Sequence, residues 1–260
     1  MNKICALLGV SLFLFSCVSS DKKMPSKILS MEEQNVKGHW IAGSTDSTVT
    51  IIGVSSPMMK RDAEIAAAKE DAAKKAAMYY GVQGKIETTH GGGANFFDYI
   101  SDSRVEVVYD KDYTKYIEQL TFDQKNDVLI TKEAIFIRFK LAAAAKSINY
   151  TAKTDGNGRP TWTTSRQLPQ FNGFITVVGF AQKQRYLKDT IYKATEAAVA
   201  RIVETLSTKV SEKIVASAGS GNADNYSVSK GKLVNFHVIE FWVEPKTKNV
   251  YTLAIAKAAQ

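Results

Sequence analysis

Thr50-Ile51-Ile52-Gly53-Val54 and Thr176-Val177-Val178-Gly179-Phe180 are the two stretches on which the fold of this 260-residue chain turns. Each is a β-branched run ending in glycine and one more apolar residue, and the two stand 126 positions apart. The same offset, without a gap, aligns Ile65 with Ile191, Ala68 with Ala194, Glu70 with Glu196, Ala72 with Ala198 and Lys75 with Arg201. A match that runs from a strand pattern into a helix pattern without losing register points to internal duplication.

Working outward, each copy opens with a strand, Thr48–Val54 and Phe174–Phe180. The glycine near its end marks either a close backbone approach that admits a ligand or room for the next helix, and the second reading is preferred. In the first copy Ser56-Pro57 predicts a helix N-cap and first helical residue. Ile65, Ala68, Ala72, Ala76 and Tyr79 then form a stripe at 3–4 spacing, with Gly81 as its stop. Glu70–Lys74 and Asp71–Lys75 read as i,i+4 ion pairs on the outer face. In the second copy Ile191, Ala194, Ala198, Ile202 and Leu206 make the corresponding stripe. Periodicity leaves Val210–Ala218 open between more helix and another strand.

Closing strands are expected at Leu233–Val243 and Val250–Ala256 around a polar turn at 244–249, and at Tyr116–Phe122 and Ala134–Leu141 around Asp123–Asp127. The fold class predicted is α+β: two tandem β-α-β-β repeats, each an Ala-rich helix packed on a small antiparallel sheet. The first, diverged repeat covers 39–141 and the second 173–260. The segment 142–172, with Gly156, Gly158, Pro160 and Pro169, reads as a linker.

The N-terminus carries an address. Lys3 precedes an apolar run from Ile4 to Phe15, and the whole apolar stretch to Val18 is 15 residues, short of the ~20 needed to span a bilayer as a helix. Residues 1–16 therefore read as a secretory signal. Leu14-Phe15-Ser16-Cys17 resembles the lipobox of bacterial lipoproteins, with Phe15 where a small residue is usual. That resemblance implies a diacylglycerol thioether on Cys17 and an acylated N-terminus, a multi-chain anchor. Cleavage after Ser20 to give a secreted protein is the competing reading. Cys5 leaves with the signal, so Cys17 is the one mature cysteine and no internal disulfide can form. Residues 17–38, polar and without apolar period, read as a tether.

Composition excludes collagen-like, proline-rich and disordered classes: 45% of residues are apolar, and there are five prolines and sixteen glycines. The balance of 34 Lys+Arg against 26 Asp+Glu gives +8, and loss of Lys3 with the signal leaves +7. Nucleic acid, anionic lipid and acidic glycan are the partners such a charge suits. No dense basic block occurs, and a signal peptide removes the chain from cytoplasmic DNA, so no nucleic-acid partner is expected.

Trp40-Ile41, Thr50–Gly53, the alanine-rich helix and above all Phe241-Trp242-Val243-Glu244-Pro245 with Val250-Tyr251-Thr252-Leu253-Ala254-Ile255 resemble the Lpp-twenty lipoprotein family, itself similar to the flagellar accessory proteins FlgP and FlgT. The likeness covers most of 173–257; the first copy offers Ile135-Phe136-Ile137 in place of the Trp-Val…Tyr ending. It implies an outer-membrane lipid-anchored envelope protein of scaffold or assembly type, without catalysis.

No catalytic, cofactor-binding or metal-ligating residues are expected. His39, His90 and His237 have no ligand spacing between them, and His237 reads as a surface residue of its strand. His90-Gly91-Gly92-Gly93 resembles an esterase oxyanion loop, but no G-x-S-x-G accompanies it. Asp155-Gly156-Asn157-Gly158 lacks the spacing of a calcium loop. Glu106, Asp110 and Asp112, among Tyr109, Tyr113 and Tyr116, would need to converge across a cleft to act as glycosidase carboxylates. The function expected is therefore non-enzymatic, with envelope or flagellar proteins as partners. Binding of peptidoglycan or another anionic glycan is the alternative, and a hydrolase site assembled from both repeats ranks third. Exposed sheet edges invite homo-oligomers.

Overall fold

The structure is a computed structural model that describes residues 39–89, 103–143, 146–214 and 226–259. The signal, Cys17, the tether and the His90–Gly93 run lie outside the described residues. The chain is α+β, with antiparallel sheets and two long helices. In order it forms β1 (His39–Ile41), β2 (Thr48–Ser55), α1 (Arg61–Tyr80), β3 (Val82–Thr89), β4 (Ser103–Tyr109), a 3-10 turn (Tyr113–Tyr116) and β5 (Leu120–Thr121). Then come β6 (Val128–Ile130), β7 (Ile135–Ala142), a second 3-10 turn (Thr161–Thr163), β8 (Ile175–Ala181), α2 (Leu187–Ile214), β9 (Tyr226–Val243) and β10 (Val250–Ala258).

The strands make two sheets. The larger has the order β4-β3-β9-β10-β8, with β1 also on β9; the smaller has β2-β7-β5, with β6 also on β7. β9 organises the larger one. β10 takes one of its edges, while the other is shared by β3 along Tyr226–Leu233 and by β1 at Glu240–Trp242. Strands β1, β3 and β4 come from the 39–141 segment yet pair in the sheet that contains β8, β9 and β10. The expected picture of one small sheet per segment gives way to this interleaving, because β9 runs seven residues further upstream than its apolar pattern suggested and offers a long edge to fill.

The paired glycines have one physical cause. A Cβ at Gly53 would stand 2.1 Å from the carbonyl oxygen of Ala68, and one at Gly179 would stand 2.1 Å from that of Ala194. Each helix lies so close to its strand that only hydrogen fits, which is the reading preferred from sequence. Alanine at 68, 72, 73 and 76, and at 194 and 198, permits that approach from the helix side.

Four packed regions follow. α1 seats its alanines and Tyr79 against Val49, Ile51, Ile137, Phe139 and Leu141 of the small sheet. α2 lays Ala198, Val199, Ile202 and Val203 on Val82, Leu233, Phe236, Ala254 and Ala256. Alternate residues of β10, Leu253 and Ile255, face the other way and are covered by Trp162, Tyr150, Leu168 and Phe171. The 142–172 segment is thus a third layer of the large sheet as well as a connection. The two sheets meet at a seam in which Trp40 stacks on Phe136 at 4.1 Å and Phe241 at 5.3 Å between ring centroids.

Local differences from the sequence reading have local causes. α1 begins at Arg61, four residues after Pro57, and its N-cap Lys60 makes no side-chain cap. Instead the buried Glu64 carboxylate reaches back to accept the Met58 N–H at 2.7 Å and pairs with Arg61 at 2.6 Å. Gly81 does end α1, in extended rather than left-handed backbone (φ 179°). The expected strand Tyr116–Phe122 shrinks to Leu120–Thr121 behind a 3-10 turn. The helix reading of Val210–Ala218 holds through Ile214, and the rest lies outside the described residues.

Candidate functional site

β2 is an edge strand, and its outward groups show how the polar interior is arranged. β7 takes one side in an eight-residue register from Thr48↔Ala142 to Ser55↔Ile135. On the other side the Thr50 N–H donates to the Gly43 carbonyl at 2.7 Å. His237 Nε2 donates to the Thr50 carbonyl at 3.0 Å, and Lys75 Nζ to the Ile52 carbonyl at 2.7 Å. The Val54 N–H donates to Asp71 Oδ2 at 2.8 Å, and that carboxylate also holds Lys75 at 2.7 Å. An unpartnered buried backbone group costs about 1–3 kcal/mol, so these side chains finish the strand where a neighbouring strand would otherwise be needed. Asp71–Lys75 is therefore a buried strand-capping pair, unlike the outer-face pair read from sequence; Glu70–Lys74 at 2.8 Å is the one at the surface. On β8 the Arg201 guanidinium donates to the Val178 carbonyl, the same placement as Lys75 on Ile52.

His237 is buried, which corrects its reading as a surface residue. The register of β9 against β10 shifts between Leu253 and Ala254 and again between Ile255 and Lys257, and Asn235 sits at φ 54°. The ring stays on the face opposite Phe236 and Val238, and that face is covered: the Thr50 carbonyl of β2 lies on Nε2 and Tyr79 of α1 meets the ring edge-on. Burial pushes its pKa down to about 4, so the imidazole is neutral at neutral pH. Its Nδ1 is enclosed without a hydrogen-bond partner among the described residues.

Beside this ring a cleft of about 320 Å³ opens between the sheets, lined by Ser44, Tyr79, Lys146, Asn235, His237 and Lys257. It lies against the left-handed Asn235, and most of its polar groups are already engaged. The Ser44 hydroxyl donates to the Lys146 carbonyl at 3.1 Å. Tyr79 hydrogen-bonds Asn235. Lys257 Nζ lies 4.6 Å from the centre of the Phe174 ring. A general base must reach a substrate proton, and the free nitrogen of His237 is sealed from solvent. The cleft is equipped to hold a small polar group, with two ammonium groups and the Asp46 carboxylate at its walls.

A second buried carboxylate escaped the sequence reading. Glu240 is fully buried, and its Oε2 accepts the indole N–H of Trp162 at 2.7 Å and the hydroxyl of Tyr150. Burial first, and the adjacent carboxylate second, push the Tyr150 hydroxyl well above its ordinary pKa. A lone acid inside Phe236-His237-Val238-Ile239-Glu240-Phe241-Trp242-Val243 was the signal available. This pair of donors pins the 142–172 segment to the sheet.

The other residues singled out from sequence serve turns. Asp110 accepts from Lys115 and from the Asp112 N–H at 2.9 Å, and Asp112 accepts from Thr114 at 3.0 Å. Tyr113 donates to Glu70 at 3.0 Å, and Tyr116 stacks on Tyr80 at 5.1 Å. Glu106 is exposed on β4. Asp155 Oδ1 accepts the N–H groups of Asn157 and Arg159, an Asx turn closed by Gly158 at φ 74°. Among the described residues no cluster of three or more His, Cys, Asp or Glu side chains is placed to hold a metal. Nor is any described helix long and apolar enough to cross a membrane. No family model, no curated protein and no solved structure matches this chain.

Proposed function

We propose that this protein is a non-enzymatic envelope lipoprotein of the Lpp-twenty kind, lipid-anchored through Cys17 in the outer membrane. It acts as a scaffold or accessory factor for outer-membrane or flagellar structures. The observation that carries this reading is Leu14-Phe15-Ser16-Cys17 closing the apolar run Ile4–Phe15. The interior supports it: the buried groups His237, Asp71 and Glu240 and the half-buried Lys75 all complete strands or pin a segment.

The body descends from two copies of one β-α-β-β unit. Support comes from Gly53 against Ala68 and Gly179 against Ala194, and from Lys75 on Ile52 and Arg201 on Val178, all at the 126-residue offset. Strand register supports it as well, since Ser55 pairs with Ile135 and Ala181 with Val250, so Ile135-Phe136-Ile137 answers Val250-Tyr251-Thr252.

Mass spectrometry of the N-terminal peptide from purified membranes tests the anchor: a doubly or triply acylated Cys17 is expected, and an unmodified N-terminus at Asp21 overturns it. Cross-linked pull-down from native envelopes tests the scaffold role. Recovery of outer-membrane or flagellar assembly proteins is expected, and turnover of a substrate with no envelope partner refutes it. A second reading, anionic-glycan binding, is favoured by a cleft of about 450 Å³ along the 142–172 segment with Asn149, Lys153 and Gln167 beside Tyr150. Salt-sensitive sedimentation with purified cell walls supports that reading, and no binding at low salt removes it.

A further inference from the structure

The charges that look dispersed in sequence are gathered by the fold. β2 ends opposite the start of β7 at Ser55↔Ile135, so the loops 56–60 and 131–134 share one end of the molecule. β8 ends opposite the start of β10 at Ala181↔Val250, and β9 ends there too at Val243↔Val250, so the loops 182–186 and 244–249 share an end as well. Lys248 Nζ bonds Glu133 at 3.0 Å, and Val54, Ala134, Ala181, Val243 and Val250 pack in one cluster, so both ends are the same end. These four loops carry Lys60, Lys132, Lys183, Arg185, Lys246 and Lys248 against only Glu133 and Glu244.

The same end exposes large apolar side chains. Met59 is fully exposed, and Met58 and Tyr186 are each 46% exposed; the Arg185 guanidinium lies 5.2 Å over the Tyr186 ring. The chain also enters here, because His39 pairs with Trp242, one residue before the end of β9. Cys17 precedes His39 by 22 residues, which can span at most about 75 Å.

We propose that this end is a membrane-docking face that seats on anionic phospholipid, with the basic loops on the headgroups and Met58, Met59 and Tyr186 at the acyl boundary. The proposal rests on the lipid-anchor reading for its orientation. Basic side chains ringing an apolar tip are the combination that binds an anionic bilayer surface. A lipid 22 residues upstream would raise the effective concentration enough for weak contacts to hold the body down. The face would then set which surfaces, the β4 edge and the 142–172 layer, are turned to partners.

The test is vesicle sedimentation of the chain from residue 18 onward, which has no acylation site and retains every described strand and helix. More protein should pellet with phosphatidylglycerol–phosphatidylcholine vesicles than with phosphatidylcholine alone, and salt should release it. Lys132→Gln, Lys183→Gln, Arg185→Gln and Lys246→Gln should each weaken binding about fivefold, and Met58→Ser with Met59→Ser should remove the fraction that survives high salt. Lys230→Gln and Lys232→Gln, eleven to thirteen residues up β9 from Val243 and so about 35–45 Å away, should change nothing. Circular dichroism of each variant guards against unfolding. Equal binding to both vesicle types, no binding at low salt, or equal sensitivity to the control substitutions overturns the proposal. So does charge-sensitive self-association or cell-wall binding in place of vesicle binding. Because the form from residue 18 onward lacks Cys17, failure here leaves the lipid-anchor reading standing, and an unacylated N-terminus would leave the vesicle result readable.

Discussion

Acidification should unfold this protein through one ring. His237 is neutral in the fold, donates from Nε2 to the Thr50 carbonyl, and lies edge-on to Tyr79 with 6.4 Å between centroids. Burial holds its pKa at about 4 against an ordinary value of 6.5. The unfolded chain therefore takes a proton near pH 6.5, while the folded chain refuses it until about pH 4. The contribution is fully present above pH 6.5 and is lost as pH falls from there towards 4. At about 1.4 kcal/mol per pH unit, the loss approaches 3 kcal/mol over the whole window and about 2 kcal/mol by pH 5. Urea unfolding at pH 7.5, 6.0 and 5.0, for the wild type and His237→Gln, isolates this term, because the carboxylates that also titrate are common to both. The wild type should lose about 2 kcal/mol more than the variant between pH 7.5 and 5.0. Parallel curves would refute the buried neutral imidazole.

Further outcomes follow from the same geometry. Gly53→Ala and Gly179→Ala should each cost about 3 kcal/mol or more, with similar midpoint shifts in urea, since both methyls meet a helix carbonyl at the same distance; a neutral result at either would mean that the helix can lift. Trp40→Ala should cost about 3–5 kcal/mol and part the seam with Phe136 and Phe241, read by thermal melts and by increased protease access to the 39–48 segment. Asp71→Ala should cost about 3–5 kcal/mol by stranding both Lys75 and the Val54 N–H. The same melts should show the double variant Asp71→Leu with Lys75→Met to be less harmful than Asp71→Ala.

What the sequence disclosed was local. The β-branched runs before Gly53 and Gly179 and the alanine stripes after them carry strong periodicity, so β2, β8 and both helices were legible, as was the reason for the glycines. β3 was not, because Val82-Gln83-Gly84-Lys85-Ile86-Glu87-Thr88-Thr89 has only two large apolar residues and becomes a strand by pairing with Tyr226–Leu233. His237 stands on the face that alternation assigns, opposite Phe236 and Val238, and no local pattern announces that β2 and Tyr79 cover that face. Trp162 and Glu240 stand 78 residues apart, and no local pattern announces that they meet. The basic end was hidden for a related reason: its lysines come from four loops, none of which holds an adjacent basic pair.

The interleaving of the large sheet has a consequence for the order in which the chain can be made. Trp40 finds its neighbour on β9 only when Phe241 exists, and β3, with β4 on its far side, waits for Tyr226 onward. A ribosome must therefore finish almost the whole polypeptide before its earliest strand can close. Such long sequence separation delays folding and prolongs exposure of unpaired edges. For the exported lipoprotein proposed above that delay has a use, since strands still without their partners stay threadable. It also makes the carboxyl-terminal hairpin a checkpoint: a product truncated before Tyr226 keeps the pairings of the small sheet but has lost those of β1 and β3 with β9, and quality-control proteases should find these strands open.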